Sequence, residues 1–165
     1  MSYVPRTDRP ADKAACYAEV EGEILAVLDG EPNVTARMAT VASMLRDAFD
    51  SYFWSGFYVV DPEKPGELVV GPYQGTLGCL RIPFGRGVCG AAAATGLTQV
   101  VDDVHAFPGH IACDSRSASE IVVPVFGPDG GLIAVFDVDS TEPAAFDAVD
   151  QQALERLLSK VFVTA

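Results

Sequence analysis

The feature that most constrains this chain is where its helical patterning stops. Apolar residues recur at helical spacing only near the two ends. Cys16, Val20, Ile24 and Leu28 fall every four residues, Val27 joins the same face, and Asp29-Gly30 ends the run. Asn33 or Thr35 can cap a second helix, whose buried face reads Met38, Val41, Met44, Leu45 and Phe49. At the far end, residues 146–163 carry Val149, Ala153, Leu157 and Val161 on one face. The middle reads as strands. Residues 52–60 are aromatic and β-branched, and the turn signals at 61–66 fold them into a hairpin with 67–73. Residues 79–83 and 98–101 read as short strands, and 121–126 and 132–138 as a hairpin around Gly127-Pro-Asp-Gly-Gly131. A short Ala-rich helix at 88–95, stopped by Gly96, interrupts them. Helices at both ends of a strand-rich centre predict an α+β domain with one mostly antiparallel sheet.

The length of 165 residues suits one domain, spanning 11–165 behind an arm at 1–10 that holds two prolines and two arginines. The formal net charge of −12 repels phosphate backbones and anionic membranes alike, so neither nucleic acid nor a membrane is an expected partner. No apolar run approaches the roughly 18 residues of a membrane span. The opening MSYVPRTDRP has no apolar stretch after its charges, so it does not read as a secretory signal and the cytoplasm is expected.

Four cysteines are present, at positions 16, 79, 89 and 113. In a reducing cytoplasm they are expected as thiols rather than structural disulfides. Cys16 lies on the apolar helical stripe and reads as a core thiol. Cys89 follows Gly87-Val88 at a helix start. There the helix dipole can lower its pKa, or the amides can hold a substrate carboxylate, or the thiol simply fills space under the turn; spacing does not decide among these. Cys113 sits in a long loop, 102–118, beside His110 and Arg116, either of which can favour a thiolate. It is the best nucleophile candidate of the four. No C-x-x-C pair occurs, and Cys113 with His105 and His110 is a weak ligand pattern. No metal and no bound cofactor are expected.

Acids complete the chemistry. Asp137 and Asp139, two apart on one strand, point to the same face. Glu120 begins the preceding strand, and it nears them if the two strands pair as a hairpin. Converging carboxylates bind an ammonium ion, and crowding keeps one of them protonated as a donor. Trp54, Phe57 and Tyr58 share a strand but not a face, so at least one can line a pocket.

Several segments together resemble the free methionine-(R)-sulfoxide reductases, which are single GAF-domain enzymes. They are Trp54-Ser-Gly-Phe-Tyr58, Gly71-Pro-Tyr-Gln-Gly75, Arg81-Ile-Pro-Phe-Gly-Arg-Gly-Val-Cys-Gly90, Asp103-Val-His-Ala-Phe-Pro-Gly-His-Ile-Ala-Cys-Asp114, Ser119-Glu-Ile-Val-Val-Pro124 and Asp137-Val-Asp-Ser140. The stretch Gly75-Thr-Leu-Gly78 departs from that pattern and leaves the local loop shape open. The resemblance implies a GAF-like fold with a six-stranded, mostly antiparallel sheet and flanking helices. It implies reduction of free methionine-(R)-sulfoxide, with thioredoxin as electron donor, and suggests a homodimer. By the same resemblance Cys113 matches the catalytic cysteine, Cys79 the recycling cysteine and Cys89 an assisting one. Glu120, Asp137 and Asp139 match the acidic substrate-binding set, with Trp54 and Tyr58 as pocket aromatics. The competing expectations are a non-catalytic GAF sensor of a small ligand and a thiol redox switch.

Overall fold

The computed structural model describes residues 3–163. Three helices form one layer: α1 (Lys13–Val27), α2 (Val34–Ala48) and α4 (Ala148–Phe162). Each begins where a side chain accepts the amide protons that a helix start leaves unpaired: Asp12 for α1, Asn33 for α2 and Asp147 for α4. The sheet consists of β1 (Trp54–Val60), β2 (Glu67–Gln74), β3 (Arg81–Pro83), β4 (Gln99–Val101), β5 (Ser119–Phe126) and β6 (Leu132–Ser140). Its order is β3-β2-β1-β6-β5-β4, with every pairing antiparallel. The α+β, six-stranded expectation agrees with this architecture.

The two-residue alternation of the strands divides the interior. Phe57, Ile121, Val123, Val125, Ala134, Phe136 and Val138 face the three helices. Trp54, Tyr58, Val122 and Val135 face the opposite side, against α3 (Gly87–Thr95) and the long loop that carries a 3-10 turn at Val104–Ala106. Complete burial of a Phe or Leu contributes about 1.5–3 kcal/mol each, so the helix-side core is the main source of stability. A polar network stitches it: the Tyr17 hydroxyl donates to Asp150 Oδ1 at 2.6 Å and lies 2.6 Å from the Tyr52 hydroxyl, while Lys13 bonds Asp150 Oδ2 at 2.7 Å. The far face is thereby free to carry a site.

Some details differ from the pattern reading. Val27 and Val149 share angular positions with the buried stripes yet are 40% and 37% exposed. Both lie at a helix end, where neighbouring elements give no cover. The first strand begins at Trp54 rather than at residue 52, although Tyr52 is buried. The third begins at Arg81, which leaves Cys79 in the preceding loop. Cys16 is a buried core thiol, as its stripe implies. Among the described residues, no helix is long and apolar enough to cross a membrane.

Candidate active site

Register brings the acids together. Glu120 on β5 lies opposite Asp139 on β6, and Asp139 lies opposite Trp54 on β1. Asp137 sits between Val122 and Gly56 on the same face. The three carboxylates line one pocket with Trp54, Tyr58 and Cys89. Glu120 and Asp137 are buried and Asp139 is half-buried. Burial, reinforced by the neighbouring acids, pushes all three carboxyl groups well above the usual range. Glu120 and Asp137 stand on adjacent strands with carboxyl oxygens within 4.8 Å of each other, so the two groups crowd one another. Asp137 Oδ1 is buried and accepts from no donor. A buried acceptor left so costs about 1–3 kcal/mol, which makes this oxygen a ready partner for an incoming N–H group.

Cys89 occupies the first turn of α3 and is buried. Its Sγ lies 3.9 Å from Glu120 Oε1. Burial and the surrounding acids push its thiol pKa well up. The lowered pKa offered by the helix start is therefore not realised, because desolvation and three nearby acids outweigh the dipole. Cys89, Glu120 and Asp137 offer ligand atoms within 4.8 Å of one another, the one such group of three among the described residues.

Cys113 lies in the loop between the 3-10 turn and β5, exposed, and is joined to Cys79 in a disulfide with a Cα–Cα distance of 5.4 Å. The bond joins the two cysteines that the resemblance pairs as catalytic and recycling, while Cys16 and Cys89 stay free. Cys79 and Cys113 belong to separate loops, and Cys113 lines the same pocket as the three acids. Three contacts explain the closeness. Trp54 Nε1 donates to the Thr76 carbonyl at 2.8 Å, and Thr76 Oγ1 donates to Asp114 Oδ2 at 2.8 Å. A Cβ at Gly78 would lie 3.0 Å from Trp54 Cζ2 and 3.1 Å from the Tyr58 hydroxyl, so a larger residue would have to push these rings back by a few tenths of an ångström. Trp54 also stacks on Tyr58 at 5.6 Å and on Tyr73 at 5.1 Å, while Phe57 faces the helices.

Neither basic neighbour serves Cys113 as the sequence suggests. Arg116 is held by Asp114 at 2.8 Å and lies over the Phe53 ring. That pairing holds the Asp114 carboxyl below its usual range. His110 Nε2 lies 3.6 Å from Glu120 Oε2, and burial lowers the histidine's pKa, leaving it neutral at pH 7. His105 is exposed and does not line the pocket, so the structure does not assemble the histidine–Cys113 ligand set. The contacts of His110, Thr76 and Asp114 had no sequence signal beyond their place in motif-bearing loops, because they depend on how two loops meet.

The enclosed space measures about 40 Å³, room for a few waters and far below the ~300 Å³ or more of small-molecule sites.

Similarity to known proteins agrees with this geometry. The GAF domain family profile matches residues 31–161. The chain is 43% identical over 133 residues to the free methionine-R-sulfoxide reductase of Saccharomyces cerevisiae, covering 78% of this chain and 74% of that protein. It is 39% identical over 150 residues to the Escherichia coli protein of the same name, covering 91% and 88%. The crystal structure of free methionine-R-sulfoxide reductase from Neisseria meningitidis in complex with its substrate is 49% identical, with a TM-score of 0.89 over 96% of this chain and 93% of that one.

Proposed function

Because the chain belongs to the GAF-domain free methionine-R-sulfoxide reductases, we propose that it reduces free methionine-R-sulfoxide to methionine, with Cys113 as nucleophile and Cys79 as recycling thiol. The observation that carries this reading is a disulfide between two loop cysteines, one of which lines a pocket together with three carboxyl groups.

In the reduced protein, the Cys113 thiolate attacks the sulfoxide sulfur. A carboxyl of the Glu120–Asp137–Asp139 set donates a proton to the departing oxygen; its raised pKa keeps that proton available at neutral pH. The substrate's S–O bond breaks as the protonated oxygen passes to Cys113 Sγ, so methionine leaves as the thioether and Cys113 becomes a sulfenic acid. The Cys79 thiol condenses with it, releasing water and forming the Cys79–Cys113 disulfide. Thioredoxin, in the reducing cytoplasm, returns both thiols by exchange.

Preference for the free amino acid follows from the two poles of the pocket. Asp137 Oδ1 is the natural acceptor for an α-ammonium group, and a peptide nitrogen carries no such charge. The Gly87, Val88 and Cys89 amides open α3 at the pocket wall, where helix geometry leaves them unpaired and suited to a carboxylate. Trp54 and Tyr58 flank the aliphatic stem.

Two expected outcomes follow from the disulfide. A Cys79→Ser variant should release one methionine per protein and then stall with thioredoxin, whereas it should continue when a small thiol such as dithiothreitol resolves the sulfenic acid. Multiple thioredoxin-driven turnovers at the wild-type rate would remove Cys79 from the cycle. The oxidised protein, whose cavity is too small for the substrate, should show no calorimetric binding of methionine sulfoxide. Binding of equal strength in the oxidised and reduced forms would show that the disulfide does not close the pocket.

A further inference from the structure

Two leucines bracket the disulfide. Leu77 is 77% exposed and Leu80 71%; among the described residues only Val4, in the N-terminal arm, and Leu97, away from the disulfide, are comparably exposed for a large apolar side chain. Isolated exposed leucines are ordinary, but a pair around the one bond that another protein must break is not. We propose that Leu77 and Leu80 form the docking surface for the protein dithiol that reduces the Cys79–Cys113 disulfide, an inference that rests on the recycling step above.

The leucines do not hang on a slack loop. The Thr76 carbonyl accepts the Trp54 indole N–H. The Leu80 carbonyl accepts the Val70 amide at 3.0 Å. The backbone is thus held on both sides of Cys79 while the apolar side chains stand in solvent. Ordering such a surface on binding costs little further entropy, as an interface needs. The surrounding charge fits the same occupant. Although the chain carries −12 overall, three arginines stand by these loops: Arg81 pairs with Asp61 and Glu67, Arg116 with Asp114, and Arg86 lines the pocket beside Leu77. The result is an apolar island with arginines beside it on an acidic protein, which a small dithiol protein with an apolar rim can cover without requiring basic residues of its own.

The exchange then balances. The partner's thiolate attacks Cys79 Sγ, the sulfur that the leucines flank; the Cys79–Cys113 bond breaks and its electron pair leaves on Cys113 as a thiolate. The partner's second thiol, deprotonated, attacks its own sulfur in the mixed disulfide. Cys79 leaves as a thiolate, and the partner departs oxidised by two electrons.

The test compares the full-length wild type with Leu80→Ser and with Leu97→Ser, a control of similar exposure (65%) away from the disulfide. Turnover of free methionine-R-sulfoxide is measured with thioredoxin and, separately, with dithiothreitol. Leu80→Ser should raise KM for thioredoxin about tenfold and leave dithiothreitol-driven turnover unchanged, which also shows that the variant is folded. Leu97→Ser should alter neither. A Leu80→Ser variant with the wild-type KM for thioredoxin, or equal losses in both variants, overturns the proposal. So does loss of self-association in Leu80→Ser without a change in thioredoxin coupling, which would assign the patch to a second copy of the chain. If the wild type turns over with neither reductant, the reductase reading itself fails and takes this inference with it.

Discussion

Exchanging Cys113 for serine is expected to lower reduction of free methionine-R-sulfoxide by about a thousandfold or more, because no other group can take its place as nucleophile. Cys89 is the nearest alternative, but it is buried and its thiol is held protonated among acids. Cys16 lies on the helix side of the sheet, in α1, away from the pocket. The loss should be in chemistry and not in folding. Cys113 is exposed and on a loop, so the reduced wild type and the variant should melt at the same temperature. Cys89→Ser should keep activity within about tenfold, since a hydroxyl can replace the weak hydrogen bond of the thiol. If the two variants behave alike, the assignment of the nucleophile is wrong.

The second large effect has opposite signs in stability and activity. Asp137→Asn should raise KM about a hundredfold, the cost of removing one partner from a buried charge pair with the substrate's ammonium group. The same change should stabilise the substrate-free reduced protein at pH 7. It trades a buried carboxylate's excess of acceptors, one of them without a donor, for an amide N–H2 that can donate to the neighbouring acids, worth about 1–3 kcal/mol, or about 2–12 °C in melting temperature for a domain of this size. The pH dependence gives the sign. Burial raises the folded-state pKa of Asp137, Glu120 and Asp139 above the unfolded values. The native state therefore binds more protons than the unfolded chain between those two pKa values. Stability from these groups is full below the unfolded pKa, about 4, and is lost as pH rises through the folded one. The Asp137→Asn advantage should thus be small near pH 4 and grow toward pH 8. Melting curves across that range check it. A variant less stable than wild type at pH 8 would show that the carboxylate is better satisfied than the structure indicates.

Much of this was legible in the residues because strands alternate. Asp137-Val-Asp139 puts two acids on one face wherever a strand holds, and the β5–β6 hairpin then carries Glu120 to them. The same alternation separates Phe57 from Trp54 and Tyr58. What could not be read depends on contacts between loops distant in sequence. Cys79 reads as a strand residue, yet it sits in a loop set by Gly78 against Trp54 and by Thr76 against Asp114. The Cys89 environment was undecided for the same reason: a helix start is local, but the acids that reverse its effect come from β5 and β6. Val27 and Val149 follow the helical period and still lie in solvent, because periodicity assigns a face and not the extent of its cover.

The central claim is that a Cys113 thiol above a pocket of acids reduces one small sulfoxide. It is tested most directly by following thioredoxin-coupled NADPH oxidation with three substrates: free methionine-R-sulfoxide, free methionine-S-sulfoxide and a peptide-bound methionine sulfoxide. The predicted result is rapid oxidation with the free R form, little with the other two, and none with Cys113→Ser. Wild-type rates in Cys113→Ser, or equal rates with the free and peptide-bound sulfoxides, would contradict it.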